Sequence, residues 1–90
     1  MGPVRPMRMR HANGTATTTP AKISVRRGSA QYLRIANLDG TNTLDVSFDN
    51  GRTYFTINAG DPPLDINALF FWILVKSDVT AAYTALIGEG

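Results

Sequence analysis

The sequence predicts an all-β protein, a small antiparallel β-sandwich or barrel with an extended N-terminal arm. Short segments in which apolar and polar residues alternate recur about every ten residues, separated by clusters of Gly, Asn, Asp and Ser. No segment has the periodicity of an amphipathic helix. The 90 residues are enough for one domain. We therefore divide the chain into an arm, residues 1–21, and a sandwich domain, residues 22–90.

The first predicted strands follow the arm directly. KISVR alternates apolar and polar residues from position 22 onward. In AQYLRIAN, Leu33 and Ile35 share one face, and Tyr32 and Arg34 share the other. Two further short strands are expected nearer the C-terminus, at residues 64–66 and 83–87.

The strongest single signal is the Asn50-Gly51 dipeptide inside LDVSFDNGRTYFTI. A two-residue type I′ turn needs positive φ at both central positions, which Asn-Gly adopts readily. Counting outward from this turn predicts the hairpin register: Leu44 opposite Ile57, Asp45 opposite Thr56, and Val46 opposite Phe55. The apolar face then consists of Leu44, Val46, Phe48, Phe55 and Ile57. The polar face consists of Asp45, Ser47, Tyr54 and Thr56.

The run FFWILV is apolar without alternation. In a regular strand, every second side chain would point into the core: Phe71, Ile73 and Val75. Phe70, Trp72 and Leu74 would then face the opposite way, although a small sandwich has a single inner layer. We predict that these three side chains form an interface with another molecule. The alternatives are that the strand rolls between two packing layers, or that Phe70 and Trp72 lie under a loop.

The predicted arm has no strand or helix pattern, because prolines, threonines and arginines dominate it. Arg5, Arg8 and Arg10 make it basic, and we predict that they contact a neighbouring molecule. An extended arm can add to the exposed sheet edge of a neighbour through main-chain hydrogen bonds.

Charge is distributed unevenly along the chain. Residues 1–38 contain seven basic and no acidic residues, whereas residues 39–90 contain two basic and seven acidic residues. This asymmetry is typical of an oriented contact, either with a polyanion or head to tail with a charged neighbour. The alternative is that the two sets of charges intermix on the folded surface.

The residue inventory argues against catalysis and cofactors. The chain has no cysteine and a single histidine, His11, so thiolate metal sites and a fixed Ser-His-Asp relay are not expected. Asp45 and Asp49 do not have the spacing of a calcium-binding loop. Asp49 is a residue type that turns use, and we expect it to pair with Arg52 across the hairpin. We predict no catalytic, cofactor-binding or metal-binding residue and no enzymatic activity.

The short chain argues against a protein with a large ligand pocket and against a membrane-spanning protein. A sandwich of this length leaves little room for a ligand pocket of about 300 Å³ or more. The longest apolar run, residues 68–75, is far shorter than the ~20 residues that span a bilayer. We therefore expect a protein made in the cytoplasm that has no membrane span.

The order of motifs from SFDNGRTYFTINAGDPPLDI to FFWILVKSD resembles small β-sandwich proteins of tailed-bacteriophage virions. The resemblance covers about residues 30–87 and rests on a hairpin, a turn and an apolar strand. It implies a structural protein of the virion, foremost a capsid cement or decoration protein. It also implies a homo-oligomer, with a trimer favoured, and the major capsid protein or another virion protein as partner.

Three alternatives remain open at this point. The chain could be a component of a tail, a baseplate or a head-tail connector. It could be a nucleic-acid-binding module that uses the basic arm and the Tyr32/Arg34 face, although no aromatic residue lies among the arm arginines to stack bases. It could also be a carbohydrate-binding sandwich that uses Trp72 and Tyr54.

Overall fold

A computed structural model describes residues 8–25 and 29–89 and confirms the all-β prediction. The described strands are β1 (Arg8–Thr17), β2 (Ala21–Ser24), β3 (Ala30–Asn37), β4 (Leu44–Ser47), β5 (Phe55–Ile57), β6 (Leu64–Ile66), β7 (Trp72–Ser77) and β8 (Thr80–Glu89). They form two four-stranded sheets, with strand orders β1-β8-β3-β6 and β2-β7-β4-β5. Every pairing between these strands is antiparallel.

The core lies between the inner faces of the two sheets. One cross-strand row of the first sheet shows how it is built, since Ala12, Ala85, Ile35 and Leu64 are successive partners across β1, β8, β3 and β6. The largest apolar side chains without solvent exposure are Leu33, Ile35, Leu44, Val46, Ile73, Val75 and Ile87. Burying side chains of this kind contributes about 1.5–3 kcal/mol each before the entropy of ordering the chain is subtracted.

The hairpin register is confirmed, because all three predicted pairs join β4 to β5. Asn50 has φ 62° and Gly51 has φ 89°, as a type I′ turn requires. Ser47, which belongs to the predicted polar face, is buried. Its hydroxyl accepts the Gly51 N–H at 2.9 Å and donates to the Asp49 carboxylate at 2.8 Å, so this polar side chain is satisfied within the turn.

Replacing Gly51 with alanine should lower the free energy of unfolding by about 1–2 kcal/mol, because a Cβ is disfavoured at this positive φ. The added Cβ would also lie 3.2 Å from the Tyr54 hydroxyl. Gly40→Ala is the matched control, since a Cβ there has no neighbour within 4 Å, and it should be neutral or slightly stabilising. Urea titrations measure both changes, and equal midpoints for the two variants would contradict the assigned turn.

The N-terminal segment differs from the predicted arm. Residues 8–17 form β1, which pairs with β8 along its whole length from Arg8 opposite Glu89 to Thr17 opposite Thr80. Strand β2 also begins inside the predicted arm and pairs with β7. Pairing is carried by the backbone, so small polar residues can form an edge strand without apolar alternation. Residues 1–7 of the predicted arm lie outside the described residues.

The apolar run at β7 does not alternate as predicted. Phe70 is 5% exposed and belongs to the core, whereas Phe71 is 56% exposed. Phe70 precedes β7 and bridges to Ala30 in the other sheet through backbone hydrogen bonds of 2.8 and 3.0 Å. A bend at Phe71 then resets the alternation before Trp72 begins the strand. Ile73 is buried, as predicted.

Candidate docking surface

Three large apolar side chains at or just before the start of β7 are exposed to solvent, Leu69, Phe71 and Trp72, and a fourth exposed side chain, Phe55, joins them through its contact with Phe48. We call this group the β7 apolar surface. Three of its members, together with Phe48 and Phe70, line a shallow cavity of about 140 Å³. Exposed apolar side chains that adjoin one another, rather than lying scattered, are characteristic of interaction surfaces.

The β7 apolar surface rests on an ordered base. The Phe70 ring meets the Phe48 ring edge to face at a centroid distance of 5.9 Å, and Phe48 meets Phe55 in the same way at 6.0 Å. The Phe71 carbonyl accepts the Val25 N–H at 3.0 Å, which ties the segment to the chain beside β2. An anchored backbone loses less entropy when its side chains are covered by a partner.

Two lysines border the aromatic residues on the outer face of the second sheet. The Lys22 ammonium lies 4.5 Å from the centre of the Trp72 ring, and the Lys76 ammonium lies 4.3 Å from the centre of the Tyr54 ring. Both distances are within the range of cation–π attraction. Trp72 and Tyr54, the two rings of the carbohydrate alternative, therefore each have a cation over one face, and the β7 apolar surface has a cationic neighbour in Lys22.

The five predicted interface residues that the structure describes do not form one site. Trp72 belongs to the β7 apolar surface, at 37% exposure, and Leu74 is half-buried further along β7. Phe70 lies in the core, which corrects its predicted role. Arg8 is exposed at the start of β1, and Arg5 lies outside the described residues. Sequence reasoning did not identify Leu69, Phe71 or Phe55 as surface residues, because regular alternation placed the two phenylalanines inside.

The Arg10 side chain forms hydrogen bonds within its own domain. Its Nε donates to Glu89 Oε1 at 2.7 Å, and its Nη2 donates to the Ser24 carbonyl at 3.0 Å. The ion pair is shielded, since the Glu89 side chain is 5% exposed. Arg10 therefore links β1 to both β8 and β2 within its own chain.

The Tyr32/Arg34 face is also engaged internally. Arg34 Nε donates to Asp65 Oδ1 at 2.8 Å, and the Tyr32 hydroxyl donates to the same oxygen at 2.7 Å. These hydrogen bonds, Arg34 first, lower the pKa of Asp65 below its ordinary value, while the bond to Asp65 raises the pKa of Tyr32. A shallow cavity of about 180 Å³ lies beside Arg34 and is lined mainly by small and apolar residues. The Arg34 charge is thus partly neutralised by a carboxylate.

Asp49, which directly precedes the Asn50-Gly51 turn, uses its carboxylate for hydrogen bonds within the turn. Asp49 accepts the Thr53 N–H at 2.8 Å and the Ser47 hydroxyl, and these two bonds, in that order, lower the pKa of Asp49. The expected ion pair with Arg52 does not form, although both residues lie in the described part of the chain. Within residues 8–25 and 29–89, no group of three or more His, Asp or Glu side chains is placed to hold a metal ion.

Over the described ranges, no helix is present that could cross a membrane. Comparison with protein families and with curated protein sequences finds no match to this chain.

Proposed function

We propose that this chain is a non-enzymatic structural protein of a tailed-bacteriophage virion, and that it acts as a capsid cement or decoration protein. It docks on the major capsid protein through the β7 apolar surface. The observation that carries the proposal is the adjacency of Leu69, Phe71 and Trp72 around one shallow cavity on an anchored segment. The resemblance of the hairpin and of the apolar strand to virion sandwich proteins supplies the class of partner.

The energetics suit attachment to a lattice. Each of these side chains contributes about 1.5–3 kcal/mol when it is covered, before ordering costs are subtracted. A few such anchors give modest affinity for one capsid subunit. Many copies on a capsid, and contacts that each copy makes to adjoining subunits, add to retention through multivalency.

Internal contacts make the alternatives weaker. A nucleic-acid module would need its basic residues available for phosphates. Arg10 is instead bound to Glu89, and Arg34 is bound to Asp65. A sugar site on Trp72 would have to displace Lys22 from the ring or use the opposite ring face.

The test is attachment of the purified chain to capsids of the phage that encodes it, prepared without this chain. Leu69→Ser combined with Phe71→Ser should reduce the bound fraction by about tenfold or more, because two exposed anchors are removed. Co-sedimentation measures binding, and capsid melting temperature measures stabilisation. The test uses substitutions on the surface and not a deletion of residues 1–21. Such a deletion would damage the fold, because it removes β1 from one sheet and the start of β2 from the other.

Leu38→Ser combined with Val79→Ser is the matched control. These side chains are exposed to a similar extent but follow the far ends of β3 and β7, away from Phe71. The control should bind capsids as the wild-type chain does. Equal binding by both double variants would refute docking through the β7 apolar surface. Salt-dependent retention on DNA without binding to capsids, or binding to a sugar column that Trp72→Ala abolishes, would support the other classes.

A further inference from the structure

Strand β1 is the one long strand at an edge of the described sheets. It has 10 residues, whereas the other edge strands β2, β5 and β6 have 4, 3 and 3. Pro20 precedes β2, and Pro62 and Pro63 precede β6, which blunts those edges further. A long, regular edge strand is a template for pairing with another strand, so natural proteins shorten, charge or cover such edges.

The charges of β1 favour one direction of pairing with its own copy. Arg8, Arg10 and His11 lie in its first half, and the second half, residues 13–17, is small and uncharged. Parallel pairing would place the Arg8 side chains of two copies side by side, whereas the Arg10 charge is already paired with Glu89. Antiparallel pairing places each arginine opposite a small neutral residue, and like charges do not face each other.

The faces of β1 restrict the register. Ala12, Gly14 and Ala16 point toward the core, and the residues between them are exposed. A sheet that continues across two copies must pair inward residues with inward residues and outward residues with outward ones. A two-fold axis through an outward residue near the middle of the strand, Asn13, meets this condition.

We infer that two copies of this chain pair antiparallel through β1 about Asn13, so that two sandwiches share a continuous eight-stranded sheet. The register opposes Met9 with Thr17, Arg10 with Ala16, His11 with Thr15, and Ala12 with Gly14. The inference does not depend on the capsid proposal, because β1 lies outside the β7 apolar surface.

Asn13 is suited to the two-fold axis. Its Oδ1 accepts the Thr84 hydroxyl at 2.6 Å, which orients the amide. The amide nitrogen still has two donor hydrogens, and the oxygen has a second lone pair. An amide is complementary to its own copy, so two Asn13 side chains can exchange hydrogen bonds across the axis.

A second copy suits this edge better than a foreign peptide. Sequence-specific strand addition needs pockets for alternate side chains of the added peptide. The outward residues of β1 beyond Met9 are polar, namely His11, Asn13, Thr15 and Thr17, and they provide main-chain pairing without an apolar anchor. Pairing through a single two-fold edge closes at a dimer, unlike the trimer that the resemblance implies.

Sedimentation equilibrium of the full chain over a concentration series tests the inference. The wild-type chain should approach twice the monomer mass of 9.8 kDa. Asn13→Lys and Asn13→Asp should each weaken dimerisation by about tenfold, because two like charges face each other and the amide pair is lost. An equimolar mixture of the two variants should recover the dimer, because a lysine then faces an aspartate.

Asn67→Lys is the control for added charge, since Asn67 is exposed and follows β6, at the opposite edge of the sheet from β1, and it should leave the wild-type mass unchanged. Circular dichroism melting should show that both Asn13 variants remain folded. A wild-type monomer, a wild-type trimer, or a mixture of variants that stays monomeric would overturn the inference. If the dimer is not found, the capsid proposal is unaffected, because binding of the wild-type chain to capsids is measured separately.

Discussion

Replacing Phe70 with alanine is expected to lower the free energy of unfolding of the isolated domain by about 3–5 kcal/mol. Phe70 is nearly buried and packs edge to face on Phe48. Its removal would leave a cavity where the segment before β7 meets the start of β3. A small domain has about 5–15 kcal/mol of stability in total, so this loss would be a large part of it.

Phe71→Ala is the matched variant, because it removes the same side chain one residue later. Phe71 is largely exposed, so its truncation should change stability by no more than about 0.5 kcal/mol. Guanidinium titrations followed by far-UV circular dichroism compare the two variants without relying on the nearby Trp72 fluorescence. A stable Phe70→Ala protein with a destabilised Phe71→Ala protein would mean that regular alternation continues through the run.

The same comparison separates stability from attachment. Phe70→Ala would weaken capsid binding only by unfolding the domain, whereas Phe71→Ala would weaken binding of a folded protein. Measuring both properties for both variants therefore shows whether the β7 apolar surface acts through its exposed side chains.

The sequence was most informative where local chemistry determines the backbone. Asn50 and Gly51 require a particular turn, and that turn sets the register of the strands on either side, so the three pairs that join β4 to β5 were predicted correctly. Deep burial of Leu33 and Ile35 also followed from simple alternation. In these segments, local preference and tertiary packing favour the same structure.

Prediction failed where tertiary contacts override the local pattern. Nothing in FFWILV shows that Phe70 pairs with Ala30 in the other sheet. The shift in the alternation of buried and exposed side chains at Phe71 could therefore not be predicted from the sequence. The strand β1 was missed because RMRHANGTAT has few large apolar residues, and its pairing depends on the adjacent β8 backbone. An edge strand of this kind can be found only once its neighbour is known.

The candidate site was predicted in part for the same reason. Trp72 was identified because a strand that is apolar on both faces needs a second cover. Leu69 precedes the strand, and Phe55 is exposed because β5 lies at a sheet edge, so no periodicity marks either residue as part of a surface. An arginine in a polar segment such as Arg10 looks exposed until the carboxylate that it meets, 79 positions away, is known.

Arg10→Met is expected to cost about 3 kcal/mol of stability, because it removes a charged hydrogen-bond partner from a carboxylate that is almost buried. It also removes the hydrogen bond to the Ser24 carbonyl, which joins β1 to β2. Arg34→Met is the matched control. Its ion pair has nearly the same length, 2.8 Å against 2.7 Å, but its partners are 54% and 45% exposed, so the expected loss is below about 1 kcal/mol.

Salt and a double variant distinguish the two ion pairs further. Raising ionic strength should weaken the exposed Arg34 pair and leave the shielded Arg10 pair largely unaffected. Arg10→Met combined with Glu89→Leu should recover much of the stability lost in Arg10→Met, because an apolar pair of similar volume avoids burying a charge. If Arg10→Met and Arg34→Met lost equal stability, or the double variant were less stable than Arg10→Met alone, the Arg10–Glu89 pair would not be the buried link between β1 and β8. Arg10 would then again be a candidate for contact with a neighbouring molecule.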